Sequence, residues 1–228
     1  MTPQTISIII PTLNEAASLE TCVMALGSTR DFELIVVDGG SLDETATIGR
    51  GLKATVLTTT ACRAIQMNAG ANVATNEIFL FLHADTILPH DWRDHVQDTL
   101  QIPGIALGAF KFALDDQGFK FRLIERLANF RSDFFQMPYG DQAMFIKRET
   151  FHKAGGFPEI SIMEDYAFCR AVRKFGKIKT GDSKAITSGR RWRRLGFIKT
   201  TFVNQLVIFL YNIGAPHRIL RRIYDSVR

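Results

Sequence analysis

The residues of this chain that could do chemistry follow three apolar runs and open two later segments. Asn14 and Glu15 come after Ile6-Ser7-Ile8-Ile9-Ile10, Asp38 closes Leu34-Ile35-Val36-Val37, and His83 and Asp85 follow Ile78-Phe79-Leu80-Phe81-Leu82. Glu164-Asp165 is a pair of adjacent carboxylates, and Arg190-Arg191-Trp192-Arg193-Arg194 is a basic block. A carboxylate just past a strand can contact a ribose or base, or can cap its own turn. Asp38, followed by Gly39-Gly40-Ser41, suits either role. Asp85, followed by Thr86, suits a helix cap or a metal, because Mg²⁺ or Mn²⁺ needs few protein oxygens where a diphosphate supplies the others. Glu164-Asp165 in a first helical turn suits the helix dipole, so capping alone could explain the pair.

Such groups need a frame that brings them to one edge. Ile6 to Ile10, stopped by Pro11, reads as a buried strand. Leu34 to Val37 and Ile78 to Leu82 are also apolar throughout, and Ala54 to Thr58 is a weaker strand. Asn14 is placed to cap a helix whose stripe is Leu19, Cys22, Val23 and Leu26. Ser41-Leu42-Asp43-Glu44 has the form of a capping box, and Ile65 to Ala74 reads as a further helix. Strands that alternate with helices and are apolar on both faces predict an α/β fold with a mainly parallel sheet. Ligands of such sheets bind beyond the carboxyl ends of the strands, where Asn14, Glu15, Asp38, His83 and Asp85 stand. Downstream, Ala106 to Leu114 reads as a strand and Phe119 to Arg131 as an amphipathic helix. Met144 to Ile146 reads as a strand leading to a short helix that ends near Gly155-Gly156. Glu164-Asp165 opens a helix with the stripe Phe168, Ala171, Val172 and Phe175, and the tail reads as two helices with Pro216 starting the second.

Composition excludes several classes. Of 228 residues, 46% are hydrophobic and 22% charged, which suits a globular chain and not a disordered or multi-span one. Three widely spaced cysteines make neither a disulfide framework nor a C-x-x-C metal site, so a reducing compartment is expected. The turn Pro11-Thr12-Leu13-Asn14-Glu15 has no glycine, and no P-loop motif occurs, so neither common nucleotide cradle is present. The net charge of +5 is uneven: Arg190 to Arg228 holds nine Lys or Arg and one acid, leaving 19 basic and 22 acidic residues elsewhere. The first apolar run is too short for a signal-peptide core and lacks a basic segment ahead of it. Phe202 to Ile213, interrupted by Asn204, Gln205 and Asn212, falls short of the roughly 20 apolar residues of a spanning helix. The expectation is a cytoplasmic chain.

The order of the motifs is specific. Pro11-Thr12-x-Asn14-Glu15, Val36-Val37-Asp38-Gly39-Gly40-Ser41-x-Asp43 and Leu82-His83-Ala84-Asp85, each closing a strand, resemble the family 2 glycosyltransferases. So do Arg63-x-x-Gln66-x-Asn68-x-Gly70-Ala71 and Gly155-Gly156-Phe157 followed by Glu164-Asp165 and Arg170. The likeness covers about residues 5 to 195. His83-Ala84-Asp85-Thr86 and the Arg190 to Arg194 block look like a small, compact bacterial subgroup.

This resemblance implies a GT-A fold over residues 1–196, a basic amphipathic extension over 197–228, and a nucleoside-diphosphate-sugar donor, with a UDP-sugar favoured. Carried over by position, Pro11 and Glu15 lie beside the nucleotide, Asp38 contacts the base, and Arg63 helps hold base or ribose. Asp85 binds Mn²⁺ or Mg²⁺ on the donor diphosphate, and Asp165 is the catalytic base. Arg191 and Trp192 resemble the R-W of a Q-x-x-R-W motif, although Ser188 stands where that motif has Gln. His83 replaces the first acid of D-x-D; imidazole is a better partner for Mn²⁺ than for Mg²⁺, and we expect a contact with the donor sugar or ribose, the alternative being a core histidine. Glu164 would orient Asp165 or raise its pKa, and Asp141 is a secondary candidate for substrate contact. Phe130, Phe134, Phe135 and Tyr139 could line an acceptor groove or pack in the core.

The expected reaction is transfer with inversion to an acceptor hydroxyl, one that could be lipid-linked. The rivals are a nucleotidyltransferase, which would want a Gly-rich basic loop after the first strand, and a non-catalytic nucleotide-sugar binder. No nucleic-acid module is visible. The stripe Phe202, Leu206, Phe209, Leu210 and Ile213, with Arg218, Arg221 and Arg222 beyond, suits peripheral contact with the inner face of a membrane, packing on the body, or a homodimer contact.

Overall fold

The computed structural model describes residues 5–226, apart from the side chains of Thr29, Arg191, Phe197 and Ile198. Its first half alternates β1 (Ile6–Thr12), α1 (Leu19–Ala25), β2 (Glu33–Asp38), α2 (Thr45–Gly51), β3 (Thr55–Thr58), α3 (Arg63–Val73) and β4 (Ile78–Phe81). Next come β5 (Thr86–Ile87), α4 (Trp92–Gln101), β6 (Ile105–Leu114), α5 (Phe119–Phe135), β7 (Phe145–Lys147) and α6 (Arg148–Lys153). The chain continues through α7 (Glu164–Val172), β8 (Lys177–Thr187), α8 (Arg190–Leu195), α9 (Phe197–Asn212) and α10 (His217–Asp225). All eight strands form one mixed sheet in the order β3-β2-β1-β4-β7-β6-β8-β5. Strands β3, β2, β1 and β4 are parallel, β7 runs against β4 and β6, β6 and β8 are parallel, and β5 runs against β8.

The continuous apolar runs exist because the sheet is covered on both faces. Ile8 and Ile10 face one core with the α1 stripe Leu19, Cys22, Val23 and Leu26 and with Trp92 and Val96 of α4. Ile9 faces the other, with Ala64, Met67 and Ala71 of α3 and Phe168 of α7. Gly70 lets α3 approach closely, since a Cβ there would sit 2.4 Å from Ile9 Cγ2.

Several local expectations are corrected. Pro11 does not end β1; it pairs with Val37 and the strand runs to Thr12. The Ile9 carbonyl accepts from Leu82 N–H on the β4 side, and Thr12 carbonyl accepts from Gly39 N–H on the opposite side. Alternation therefore turns the nitrogen of Pro11 toward the β4 side, past the last β1–β4 pair, where its missing N–H costs no ladder bond. Asn14 is not a helix cap: it takes a left-handed φ of 55° and its Oδ1 accepts from Leu42 N–H. Ser41 makes no capping box, and Asp43 accepts from Thr45 N–H and Ala16 N–H instead. In α7, Cys169 is buried with Phe168 and Val172, whereas Phe175 is exposed.

Strand β6 outruns its neighbour β7, which pairs only with Leu107 and Gly108. Side chains replace the missing strand. Gln142 Nε2 donates to Phe110 carbonyl (3.0 Å), Asn129 accepts from Phe112 N–H (2.8 Å) and donates to Phe112 carbonyl (3.0 Å), and Glu125 accepts from Leu114 N–H (2.8 Å). A polar face of α5 thereby satisfies backbone groups that would otherwise be buried without partners. The last two helices pack through Val203, Val207 and Leu220 on Ile162 and Met163. Phe202, Phe209 and Ile213, expected on one stripe, point outward.

Candidate active site

The parallel arrangement of β1, β2 and β4 brings Glu15, Asp38 and Asp85 to one edge of the sheet. Strand β8 completes that edge from the other half: Ser188 N–H donates to Asp85 carbonyl, and α8 starts two residues later. Arg190 Nη2 consequently lies 3.8 Å from Glu15 Oε2 and 3.9 Å from Asp85 Oδ2. Burial raises the Asp85 pKa, and Arg190 opposes that rise. Among the described residues, Arg190 reaches the strand-end acids Glu15 and Asp85; the side chain of Arg191, expected to meet the leaving diphosphate, lies outside the described residues. Trp192 packs near Phe112 with its Nε1 buried and unpartnered among the described residues.

The second carboxylate group stands at the start of α7. Met163, at φ 70°, turns the chain sharply just before Glu164. Asp165 Oδ2 accepts from Gly140 N–H (3.1 Å) and Oδ1 from Tyr166 N–H (2.7 Å), which fixes the carboxylate plane. Glu164 faces away from that turn, buried and 3.4 Å from Arg63 Nη1. Burial raises the Glu164 pKa, Arg63 opposes, and Asp165 adds to the rise.

Gly140 is the hinge between the two groups. A Cβ there would lie 2.8 Å from His83 Nε2, so only glycine lets the turn Gly140–Gln142 close over the imidazole. His83 Nε2 is buried without a partner, and burial, with Arg63 adding, pushes its pKa down to about 3, so the ring is neutral at ordinary pH. Next to Gly140, Asp141 has an equally unpartnered buried Oδ1; burial lifts its pKa to about 6, Arg131 opposing and Asp165 adding. Two unmet polar atoms border one turn, the arrangement of a site that waits for a ligand.

Other motif residues make contacts that hold the strand-end turns. Gln66 Nε2 donates to both Thr12 and Val37 carbonyls, tying β1 to β2 (2.8 Å each). Asn68 clamps Phe157 through its carbonyl and N–H (2.8 and 2.9 Å), holding the Gly155-Gly156-Phe157 turn. Asp38 is buried and accepts from Gly40 N–H, Ser41 N–H and the Ser41 hydroxyl, which fixes its carboxylate on its own turn. Pro11 is half-buried in β1, beside these residues. Phe130, Phe134 and Phe135 stack on one another at the surface and are not core.

Residues 7–158 match the family model for glycosyl transferase family 2. The chain belongs to that family. The matched segment takes in Glu15, Asp38, Arg63, His83, Asp85 and Asp141, and Glu164, Asp165 and α8 lie beyond it. A PGL/p-HBAD biosynthesis glycosyltransferase of Mycobacterium bovis and its counterpart in Mycobacterium tuberculosis are 43% identical over 91 residues, 36% of this chain and 36% of their own length. Glucosyl-3-phosphoglycerate synthase of Mycobacterium tuberculosis, solved with Mn²⁺, UDP and glucosyl-3-phosphoglycerate, superposes with a TM-score of 0.65 at 19% identity, over 93% of this chain and 81% of that one. Staphylococcus aureus TarS in complex with UDP-GlcNAc gives 0.63 at 14% identity, over 98% and 71%. At these identities the superpositions show the fold, a GT-A fold, as the family resemblance implied.

Among the described residues, no group of three or more His, Cys, Asp or Glu side chains is placed to hold a metal ion. Asp85 offers one half-buried carboxylate at the strand edge, so a cation there would need further oxygens from a bound diphosphate. That donor set fits Mg²⁺ or Mn²⁺, which favour one or two carboxylates plus substrate phosphates.

Proposed function

We propose that this domain moves a sugar, with inversion, from a nucleoside-diphosphate-sugar donor to an acceptor hydroxyl, with Asp165 as general base. One observation carries the reading: Asp165 is held by two backbone N–H groups at the turn that also covers His83, while Asp85 and Arg190 meet at the strand ends. A base fixed in orientation and set beside an acid–cation pair is what inverting transfer needs. Asp165 takes the proton of the attacking hydroxyl. Arg190 leaves its long, exposed pairings with Glu15 and Asp85 for the stronger diphosphate charge, because exposed pairs at such distances hold little energy. Asp85 would hold Mn²⁺ or Mg²⁺, whose positive charge offsets that of the leaving diphosphate. The neutral imidazole of His83 and Asp141 border the sugar and acceptor side.

UDP-sugars are the favoured donors, supported by the fold neighbours solved with UDP-GlcNAc and with UDP. The extension 197–228 makes peripheral contact with the cytoplasmic face of a membrane or a second copy, supported by outward Phe202, Phe209 and Ile213 near exposed Arg218 and Arg222. Among the described residues, no helix is long and apolar enough to cross a membrane.

The test is a thermal-shift and turnover comparison with UDP-glucose, UDP-GlcNAc and GDP-mannose in Mn²⁺. Asp165→Asn should keep the donor-induced shift and lose turnover or donor hydrolysis by about 10²–10⁴-fold. Near-normal turnover in that variant overturns the base assignment.

A further inference from the structure

Helix α5 carries its apolar residues on the side away from the core. Phe119, Leu123, Leu127, Phe130 and Phe134 fall within an arc of about 80° at 100° per residue, and all five are exposed. The opposite arc holds Glu125, Asn129 and Ser132, committed to Leu114, Phe112 and Gln142. Rotating the helix to bury the stripe would orphan those backbone groups, so the sheet itself forces the apolar side outward. Lys120 and Arg126 are exposed along the two edges of the stripe, and Asp133, the one exposed acid of the helix, lies about 20° beyond Arg126 on the same edge.

We propose that this face of α5 lies in the plane of an anionic bilayer, with the stripe at the acyl-chain boundary and Lys120 and Arg126 at the lipid phosphates. An apolar arc rich in Phe and Leu and edged by cations is the composition of an in-plane interfacial helix. Charge favours lipid: the exposed cations Lys120 and Arg126 outnumber the single exposed acid of the helix, Asp133, and the Lys120 edge meets negative headgroups with no exposed acid of α5 beside it. Position gives the contact a use. Helix α5 ends at Phe135, and the segment after it leads directly to Tyr139, stacked under the Arg131 guanidinium, and to Gly140, whose N–H holds Asp165. An acceptor hydroxyl carried on a lipid would meet the base without leaving the bilayer surface.

Lipid binding is read without donor, so this proposal and the transferase reading can fail separately. The full chain is floated with vesicles of phosphatidylcholine plus phosphatidylglycerol and with phosphatidylcholine alone. It should float with the anionic vesicles and much less with the neutral ones. The double variant Leu123→Glu with Leu127→Glu should bind at least about tenfold less, with an unchanged melting curve and donor-induced thermal shift, and Leu127→Phe should bind as before. The pair Lys120→Glu with Arg126→Glu, exposed and harmless to the core, should lose the preference for anionic vesicles. Absence of flotation in the unmodified chain, or equal flotation of the Leu123/Leu127 variant, overturns the proposal. So does a dimer in lipid-free sedimentation that the Leu123/Leu127 variant converts to monomer, which assigns the face to a second copy.

Discussion

Helices α3 and α5 both lie on the sheet, yet they hold it by opposite means. Helix α3 meets β1 and β2 with Ala64, Met67, Gly70 and Ala71, and among the described residues the side-chain hydrogen bonds it sends into the sheet are those of Gln66. Helix α5 meets β6 with Glu125 and Asn129 and turns its large apolar residues outward. The difference follows from the strands beneath. Strands β1 and β2 have neighbours on both sides and need only a close apolar lid. Strand β6 keeps β8 on one side to its end but lacks a strand on the β7 side beyond Gly108, so the carbonyls and N–H groups turned to that side are met by side chains. At α3 the sheet is therefore held by packing, and at α5 by directed hydrogen bonds.

Three substitutions sharpen or break that contrast. Asn129→Leu keeps the volume and removes both bonds to Phe112, leaving a buried N–H and carbonyl unpaired; stability should fall by about 2–4 kcal/mol in urea titrations. A loss under about 1 kcal/mol would mean that apolar contact is enough to hold α5. Gly70→Ala tests the other half. Its new Cβ must displace Ile9, and overpacking of this kind should cost about 1–3 kcal/mol, with the melting transition lowered and no change in pH dependence. A neutral result would show that α3 sits less tightly than a Cβ distance of 2.4 Å implies.

The smallest effect is electrostatic. The folded chain keeps a proton on Asp141 up to about pH 6, whereas an unfolded chain releases it near pH 4, at about the ordinary aspartate value. The folded state binds more protons in that window, so the contribution of Asp141 to stability declines as pH rises through it. Asp141→Asn should thus gain about 1–2 kcal/mol on the unmodified chain between pH 4 and pH 8, read as diverging denaturation midpoints. Parallel midpoints would show that Asp141 is solvated and its turn open.

Much of the first half was legible before any fold was seen. Runs of four or five mostly apolar residues ahead of Pro11, Asp38 and His83 read as buried strands, and their parallel order put the polar residues at one edge. Strand β8 was not legible: Lys177-Ile178-Lys179 and Lys184-Ala185-Ile186 carry too little apolar weight, and only pairing with β6 makes them a strand. The Asp38 turn shows a subtler limit, since its residue types announce a polar turn but not that Asp38 braces it through Gly40 and Ser41. That Arg190 comes close to Asp85 was not legible either, since it depends on where α8 starts after β8.

By itself, the sequence determined which strands are buried, where the carboxylates fall along the chain, and the family to which the chain belongs, because these depend on local pattern and motif order. The tertiary structure decided that Arg190 comes close to Asp85, that Gly140 orients Asp165 and covers His83, and that α5 shows its apolar side to the outside. Each of those depends on contacts between residues far apart in the chain, and above all on where β7 stops and leaves the backbone of β6 to be satisfied by side chains.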